Sequence, residues 1–414
     1  VAALAERLRA TDAEMSRAAV SASLIERDRN RLREQLQGLK ATASAETAAD
    51  GTLLVMEGWA ERETSDKVDA LLDEYPDVLY LKSDPTPEDE TPVKLKNNRF
   101  ARIFEMVGDM YARPKYGTID LTPFFAPFYM LFFGICLNDA GYGLILLAMG
   151  LVMLWKFKDG MMRRAAWFAT MCAAATVAVG LFCGSFFGLS LKEYFPEIPF
   201  FDFQGQFFSW ALALGLLQIL FGLLLKIVLI STTTGFRYAL STLGWFLIIL
   251  AGSLAAGLPM LDAAWVIPGF TTSSPAFYGA IAAGAVLMLF FNSPGKNPFV
   301  NLGTGLWDTY NNITGILSDV LSYIRLFAIG LSGGVLALVF NSLATGLSPD
   351  IPVVREIVIV LILLVGHGIN LFMSAISSFV HPMRLTFVEF YKNAGFEMSN
   401  RSFDPLRKLN QTDK

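Results

Sequence analysis

Apolar residues follow two different patterns along the chain. Residues 1–115 mix charged and apolar positions, whereas residues 121–395 contain long apolar runs. A helix that spans a membrane needs about 20 mostly apolar residues. The runs predict eight such spans, at residues 121–138, 141–155, 165–189, 206–230, 238–258, 275–291, 311–344 and 353–393.

The predicted spans differ in length. The first two are short and are joined by the sequence NDAG, so they form a tight helical hairpin. The last two, at about 35 to 40 residues, would be about 52 to 60 Å long. Helices of that length must tilt strongly, kink or protrude into water. The pattern therefore predicts an all-α polytopic membrane domain of eight transmembrane helices, of which the last two are long and tilted.

The polar region before the spans has a thinner apolar pattern. In residues 1–50 apolar positions recur in two heptad series, which Arg29 and Thr11 interrupt. The first series is Leu8, Met15, Ala22 and Leu36, and the second is Leu4, Ala18, Ile25, Leu32 and Leu39. This spacing predicts a coiled-coil helix of a cytoplasmic arm, for which a partner helix is needed. A single solvated helix is the alternative.

Further segments complete the predicted domain organisation. Residues 51–97 form a small α+β cytoplasmic lobe and linker, with a strand at 53–56, a helix that ends at Leu72 and a second strand at 78–82. The remaining divisions are an amphipathic connector helix at residues 98–120, the eight-helix membrane domain at 121–395 and a cytoplasmic C-terminal tail at 396–414.

Composition supports a membrane protein and argues against several other classes. Of the 414 residues, 17% are charged, whereas soluble domains carry about a quarter charged residues. The net charge of −4 gives no indication of a nucleic-acid partner. The sequence NSPGKNPF lacks the upstream Gly and the following Ser or Thr of a phosphate-binding loop. The three cysteines lie in apolar runs and are expected to be buried, so no cofactor or metal site is predicted.

Basic residues in the short loops predict the orientation. The loop after the second span holds Lys156, Lys158, Arg163 and Arg164, whereas the loop after the third span is mainly acidic and holds Lys192. Because basic loops stay in the cytoplasm, both termini are predicted to be cytoplasmic. The expected location is the cell (inner) membrane, with membrane lipids as partners. The first residues contain no initiator Met and no signal-peptide pattern, which favours an N-terminally truncated chain.

One span carries a permanent charge near its middle. Arg325 lies about 21 Å along the helix axis from residue 311, too far for its side chain to reach the near surface. An Arg at the centre of a span costs about 2.5 to 3.5 kcal/mol on insertion scales. Ser318 and Ser322 share its face of the helix, and Asp319 lies about 100° from Ser318 around the axis.

The last span has a longer polar stripe. Seven polar residues fall within an arc of about 120°, counting about 100° per residue. They are His367, Asn370, Ser374, Ser377, Ser378, His381 and Arg384. Two polar stripes, each with an arginine, predict the wall of an ion path. Glu389, near the predicted cytoplasmic end of the helix, is a candidate residue at its mouth.

Each of these residues also has a structural interpretation. Ser and Asn in spans often serve only as hydrogen bonds between helices. An internal carboxylate, Asp319 or Glu389, is available to pair with Arg325. His367 is either a packed, hydrogen-bonded core histidine or a group that titrates near neutral pH and relays protons. Two arginines at matched depth on polar stripes favour a functional role over a purely structural one.

Three stretches of the chain resemble a known family. SDVLSYIRLFAIGLSGG and GHGINLFMSAISSFVHPMRLTFVEFYKNAGFEMSNRSFDPL are similar to the last two helices of subunit a, also called subunit I, of vacuolar/archaeal-type rotary ATPases. YARPKYGTIDLTPFFAPFYMLFFGICLNDAGYGLIL resembles the segment where this family first crosses the membrane. The eight spans, the coiled coil and the small lobe fit the same family.

The resemblance implies a membrane stator that cups a rotating ring of proteolipid subunits. It implies two aqueous half-channels through which H⁺ or Na⁺ reaches the ring carboxylates, with Arg325 and Arg384 as the ring-facing arginines. The chain would be a non-catalytic, ion-translocating subunit, because the ATP chemistry would lie on other subunits. The implied partners are the proteolipid ring, the peripheral stalk subunits, and the central stalk and catalytic head.

The chain also departs from the family pattern. Asn138 stands where members often have Gly, and Ser374 stands where eukaryotic members carry a glutamate. The second difference favours the bacterial branch. Two other functions stay as alternatives: a secondary transporter whose intramembrane arginines hold an anionic substrate, and a membrane scaffold without an ion path. Transporters usually show internal repeats with broken helices, and no repeat is found in this sequence.

Overall fold

A computed structural model describes most of the chain. The described residues are 2–48, 52–86, 89–197, 203–262, 265–292, 298–349, 351, 353–399 and 403. Within them the chain forms two compact units, one inside residues 1–94 and one at Leu95–Ser399. The described residues are mainly helical, and the strands among them form three short two-stranded sheets.

The first unit begins with a long helix, α1, at Ala2–Ala43. Ile25, Leu32 and Leu39, from the second heptad series, are each more than half exposed. The predicted apolar seam is therefore open in the single chain over these positions. That exposure fits the expected need for a partner helix, and the coiled coil itself stays a prediction.

A hairpin and a short helix follow α1. Strand β1 (Glu46–Ala48) pairs antiparallel with β2 (Leu53–Val55). A 3-10 turn at Arg62–Thr64 leads into helix α2 (Ser65–Leu72). The strand and the helix predicted in this part of the lobe are both confirmed.

The second strand predicted in the lobe, at residues 78–82, is wrong. The described part of the lobe contains no strand at these positions. The Tyr80 hydroxyl donates to Asp73 Oδ1 at 3.1 Å, and Lys82 Nζ donates to Asp69 Oδ2 at 2.8 Å. The bond to Asp69 raises the pKa of the Lys82 ammonium group. Side-chain bonds to α2 and the residue after it thus take the place of a strand ladder.

The connector predicted at residues 98–120 is helical in its first half. Helix α3 spans Arg99–Asp109, and Asn98 caps it by accepting a backbone N–H with its side chain. The amphipathic face of α3 buries Phe104 and Val107. The first half of the connector therefore belongs to the second unit and packs within it through an apolar face, as its pattern indicates.

The second half of the connector is a turn that pairs with the far end of the unit. Strand β3 (Arg113–Pro114) is antiparallel to β6 (Met398–Ser399). Pro114 lacks a backbone N–H, and Gly117 adopts a φ of 80°, so neither residue continues a helix. The chain before the first predicted span therefore lies beside the chain after the last one.

All eight predicted spans coincide with helices. These are α4 (Thr122–Leu137), α5 (Ala140–Lys156), α6 (Gly160–Cys183), α8 (Phe203–Thr233), α9 (Phe236–Gly252), α11 (Pro275–Phe290), α12 (Pro298–Gly346) and α13 (Val354–Arg384). Short elements extend or connect them: α7 (Leu191–Tyr194), α10 (Leu258–Leu261), α14 (Tyr391–Ala394) and π-helical turns at Ser253–Gly257 and Leu385–Phe390.

Five helices of the described residues are long and apolar enough to cross a membrane. They are Gly160–Cys183, Phe208–Thr233, Phe236–Leu261, Phe299–Gly346 and Val354–Ala394. Helices α4, α5 and α11 are apolar but shorter, with 16, 17 and 16 residues. The fold is therefore that of a multi-pass helical membrane protein, and the number of eight spans stays a prediction.

The clearest departures from the predicted limits are at the end of α6 and at the start of α12. Helix α6 ends at Cys183 because Gly184 adopts a left-handed φ of 67°. Strands β4 (Ser185–Phe186) and β5 (Leu189–Ser190) then form a tight hairpin inside the apolar run. Helix α12 begins at Pro298, well before the predicted start at residue 311.

Helix α4 lies at the centre of the second unit. Its aromatic residues include Tyr129, which is fully buried and donates its hydroxyl to the Phe379 carbonyl of α13 at 3.0 Å. Gly134 lets α6 approach on another side, since a Cβ there would lie 3.0 Å from the Ala175 carbonyl oxygen. Helix α4 thus holds α6 and α13, which carries the longer polar stripe, in one packed group.

Candidate functional site

Helices α12 and α13 pack along a seam that holds the predicted site residues. Gly366 of α13 faces Phe340 of α12, where a Cβ would come within 2.5 Å of the ring. Gly333 of α12 faces Ser374 of α13, where a Cβ would lie 3.2 Å from the hydroxyl oxygen. Small residues at such contacts let two helix backbones approach closely. Polar side chains of the two helices consequently meet in the seam.

The two arginines lie together with His381. Arg325 is partly buried, and Arg384 is exposed. Both guanidinium groups are near enough to His381 to act on it electrostatically. Within the described residues, neither arginine forms an ion pair with a carboxylate. The single chain therefore presents two guanidinium charges that its own described carboxylates do not neutralise by direct contact.

Asp319 has a lysine partner in place of Arg325. Its carboxylate is buried and accepts hydrogen bonds from Lys392 Nζ at 3.2 Å and from Asn393 Nδ2 at 2.9 Å. The side chain of Lys392 is 54% exposed, so this ion pair lies at an edge of the unit. The interpretation in which Asp319 neutralises the arginine is therefore wrong for the single chain.

Glu389 is buried close to the same ion pair. Its carboxyl group lies near the Ser322 side chain, and the charges of Asp319 and Arg384 both act on it. Glu389 Oε2 has no hydrogen-bond partner among the described residues. With an exposed fraction of 1%, Glu389 lies inside the protein and not at an open mouth. We call Asp319, Ser322, Glu389, Lys392 and Asn393 the carboxylate cluster.

A second polar cluster lies farther along the seam. His367 Nδ1 is 2.6 Å from the Tyr142 hydroxyl, and its Nε2 is 3.0 Å from Asn341 Oδ1. Asn370 Nδ2 donates to the same Tyr142 hydroxyl at 3.0 Å, and Ser374 donates to Asn370 Oδ1 at 3.2 Å. We call these five residues the tyrosine–histidine cluster. His367 thus has the packed, hydrogen-bonded environment of its structural interpretation, and its role in ion transfer stays a prediction.

Ser378 and His381 lie on α13 between the two clusters. Ser378 Oγ and His381 Nδ1 are buried and have no hydrogen-bond partner among the described residues. Buried polar groups of this kind are usually satisfied by ordered water or by a ligand. These two atoms are therefore the groups of this stretch that a water molecule or a ligand would have to satisfy.

Sequence reasoning missed several members of both clusters. Tyr142 and Asn341 come from α5 and the end of α12, outside both predicted polar stripes. Lys392 and Asn393 follow the predicted stripe and lie on α14. No periodicity connects these residues with α13, so only the packing of helices brings them to the site.

Comparisons with known proteins agree with this arrangement of helices. The profile of the V-type ATPase 116kDa subunit family matches residues 20–186. The A-type ATP synthase subunit I of Methanothermobacter thermautotrophicus is 31% identical over 362 residues, which is 84% of this chain and 50% of that protein. The A-type ATP synthase subunit I of Methanocaldococcus jannaschii is 28% identical over 390 residues, or 85% of this chain and 54% of that protein.

A subunit I from a bacterium is similar to the chain to about the same degree. The V-type ATP synthase subunit I 1 of Treponema pallidum is 29% identical over 350 residues, covering 80% of this chain and 54% of that protein. The chain is thus similar to the V-type ATPase 116kDa subunit family over residues 20–186 and to A- and V-type ATP synthase subunit I over most of its own length. The resemblance to subunit I that the sequence indicates is thereby confirmed.

This similarity to subunit I does not decide every expectation. The chain spans about half the length of the curated relatives it matches. Those relatives come from archaea and from a bacterium, so the assignment to the bacterial branch stays a prediction. The path-lining roles of Arg325, Arg384, His381, Ser378 and Glu389 likewise stay predictions.

Proposed function

We propose that this chain is the stator subunit of a V/A-type rotary ATPase or ATP synthase. In this proposal it exchanges H⁺ or Na⁺ with the carboxylates of a rotating proteolipid ring through two half-channels. The observation that carries the proposal is the placement of two polar clusters on one helix seam. Between them lie Arg325 and Arg384, which form no ion pair with a carboxylate of the described residues. The names of the relatives support the assignment to a rotary complex.

The spacing along α13 suits two half-channels. At 1.5 Å per residue, His367 is about 25 Å from Arg384, and Lys392 is about 12 Å beyond it. The sum of about 37 Å exceeds the hydrocarbon core of a bilayer, which is about 30 Å thick. Each cluster can therefore connect with one membrane surface while the arginines separate it from the other cluster.

The arginines would act on the ring carboxylates by direct charge attraction. A carboxylate that approaches Arg325 to about 4 Å gains about 4 kcal/mol at an effective dielectric constant of about 20. This gain favours the ionised carboxylate, so its proton or sodium ion leaves into one half-channel. The same fixed charge repels cations that would pass directly from one cluster to the other.

The basic loop orients the two clusters. Helix α5 starts near Tyr142 and ends at Lys156, so the tyrosine–histidine cluster and the basic loop lie at opposite ends of this helix. With the basic loop in the cytoplasm, the tyrosine–histidine cluster opens to the outside and the carboxylate cluster to the cytoplasm. The stalk subunits and the catalytic head would bind on the cytoplasmic side of the cell membrane.

The decisive experiment replaces Arg325. We expect Arg325→Ala to lower ATP-driven ion uptake by at least about 100-fold, because about 4 kcal/mol of carboxylate stabilisation is lost. Arg325→Lys should restore little, since a compact ammonium group does not reproduce a planar guanidinium group. The measurement is acidification or Na⁺ uptake by vesicles that contain the reconstituted full complex, with assembly followed on a native gel.

Arg164→Ala is the matched control, because Arg164 lies at the start of α6 in the basic loop. It should assemble and transport at the wild-type rate. Normal transport by well-assembled Arg325→Ala complexes would contradict the proposal and favour the scaffold. Uptake of an anion that depends on Arg325 but needs no ring would favour the transporter.

A further inference from the structure

Asp139 is a buried carboxylate outside the predicted polar stripes, and four donors bind it. Its Oδ1 accepts the backbone N–H groups of Tyr142 and Phe187, each at 3.0 Å. Its Oδ2 accepts the Gly188 N–H at 2.9 Å and the Ser185 hydroxyl at 3.2 Å. With an exposed fraction of 2%, this charge depends on those bonds for its solvation. Asp139 therefore joins the first turn of α5 to the β4–β5 hairpin.

The turn of the hairpin has the backbone conformation that this carboxylate stabilises. Phe187 and Gly188 adopt φ values of 49° and 72°. The left-handed region is unfavourable for a bulky residue such as Phe187. Successive N–H groups in such a turn form a concave site for an anion, which here is the Asp139 carboxylate. Gly188 also brings the hairpin close to α12, since a Cβ there would lie 2.6 Å from Ala337 Cβ.

Both elements that Asp139 joins lead to His367. The Tyr142 hydroxyl is 2.6 Å from His367 Nδ1. The Phe187 carbonyl accepts the Asn341 Nδ2 group at 2.8 Å, and Asn341 Oδ1 lies 3.0 Å from His367 Nε2. The rings of Tyr142 and Phe187 also pack against the imidazole, with centroid distances of 5.8 and 5.6 Å. The two nitrogens of His367 are thus held by groups that the same carboxylate fixes.

We propose that Asp139 is a positioning residue for His367, an inference that rests on the proposed ion path. The Phe187 carbonyl can only accept a hydrogen bond, so Asn341 must point its NH₂ group at it and its oxygen at His367. His367 Nε2 then donates, and Nδ1 accepts from the Tyr142 hydroxyl. Without Asp139 the hairpin turn is released, Asn341 is free to rotate, and the imidazole loses its fixed tautomer and orientation.

A double-mutant cycle tests this dependence. Asp139→Asn retains one oxygen for the α5 cap but points an NH₂ group at Gly188 and Ser185. We expect Asp139→Asn to slow ATP-driven ion uptake about tenfold, as expected for a lost bond to a charged group. His367→Gln should slow it at least as much, because it removes the side chain through which Asp139 acts. The rate is measured per assembled full complex in vesicles. Because Asp139 acts through His367, the double variant should be no slower than the slower single variant.

Asp120→Asn is the matched control for the cycle. Asp120 also binds the start of a helix, accepting from the Thr122 N–H at 2.9 Å and its hydroxyl at 2.7 Å, and it accepts from Asn97 at 2.7 Å. Any slowing by Asp120→Asn should multiply with that of His367→Gln. If Asp139→Asn does not assemble, Ser185→Ala takes its place in the cycle, because it removes one of the four bonds.

Two results would overturn the positioning role. One is that the effects of Asp139→Asn and His367→Gln multiply, and the other is that Asp139→Asn lowers only the amount of complex and not its rate. If either result is obtained and the Arg325→Ala complexes are inactive, Asp139 has no positioning role, but the proposed stator function is still supported. Fully active Arg325→Ala complexes would instead remove the ion path on which the inference rests.

Discussion

The members of the Asp319–Lys392 ion pair differ sharply in exposure. The Asp319 side chain is 5% exposed, whereas that of Lys392 is 54% exposed. A buried carboxylate that loses its cationic partner pays a desolvation cost that remains uncompensated. Without Lys392, Asn393 would be the hydrogen-bond donor among the described residues that stays with Asp319. Removing one partner of a fully buried ion pair lowers the free energy of unfolding by about 3 to 5 kcal/mol. Because Lys392 is solvated, we expect a smaller loss for this pair.

We therefore expect Lys392→Met to destabilise the protein by about 1 to 2 kcal/mol. The check is the thermal unfolding midpoint of the detergent-solubilised complex, which should fall. Adding Asp319→Asn to Lys392→Met should recover most of the loss, because no unpaired charge remains buried. Lys158→Met, in the loop before α6, is the control and should leave the midpoint unchanged. An unchanged midpoint in Lys392→Met would show that Asp319 does not depend on the lysine.

At the scale of helices, close approach depends on single glycines. Gly180 of α6 lies against the turn between α4 and α5, where a Cβ would come within 2.7 Å of the Asp139 carbonyl carbon. Backbone atoms at that distance cannot move aside as a flexible side chain would. The turn and α6 are therefore locked together at a position where a methyl group does not fit.

Gly180→Ala should lower the yield of folded protein and the unfolding midpoint, with a cost of about 1 to 3 kcal/mol or more. Gly279→Ala in α11 is the control, because nothing lies within 4 Å of a Cβ at that position. It should be neutral or stabilising by up to about 1 kcal/mol, since Ala is the better helix former. Equal behaviour of the two variants in size-exclusion chromatography and thermal unfolding would contradict the packing argument.

Most helices of the fold could be predicted from the sequence. A long apolar run in a membrane protein folds as a helix, because a helix satisfies its backbone hydrogen bonds internally. The β4–β5 hairpin could not be predicted, since its strands at Ser185–Phe186 and Leu189–Ser190 are too short to show an alternating pattern. The strand predicted at 78–82 was wrong for a different reason. The residues VLYLK have a composition typical of a strand, but α2 and the residue after it offer side-chain partners in place of a neighbouring strand.

The candidate site was predictable only where its residues share one helix. The stripe from His367 to Arg384 follows the helical period, so the sequence itself places these residues together. Tyr142 and Asn341 contribute one side chain each from other helices. Their proximity to His367 depends on tertiary packing, which a pattern within one segment does not encode.

At the scale of the whole molecule, the positions of the α5 ends and of the β4–β5 hairpin are consistent with one orientation in the membrane. The Tyr142 end of α5, the β4–β5 hairpin and His367 meet on one side. The basic loop at 156–164 follows the opposite end of α5. The hairpin is therefore expected outside the cell and the loop inside it.

Cysteine labelling in intact cells checks this orientation. In a Cys183→Ser background, Glu193→Cys should react with a membrane-impermeant thiol reagent, and Met161→Cys should react only after the membrane is opened. The remaining native cysteines, Cys136 and Cys172, are buried and should stay unlabelled. The reverse labelling pattern would show that the topology is inverted, and both half-channel assignments would exchange.

The π-helical turn at Leu385–Phe390 has a consequence for how this chain aligns with related ones. In a regular α-helix, Glu389 would point about 140° away from Arg384, at about 100° per residue. Hydrogen bonds from residue i to i+5 bring the fifth residue back toward the first. The turn therefore acts as a one-residue insertion that a helix can absorb without breaking. A homologue that lacks it would match this chain in sequence up to Arg384 and be out of phase by one position beyond it.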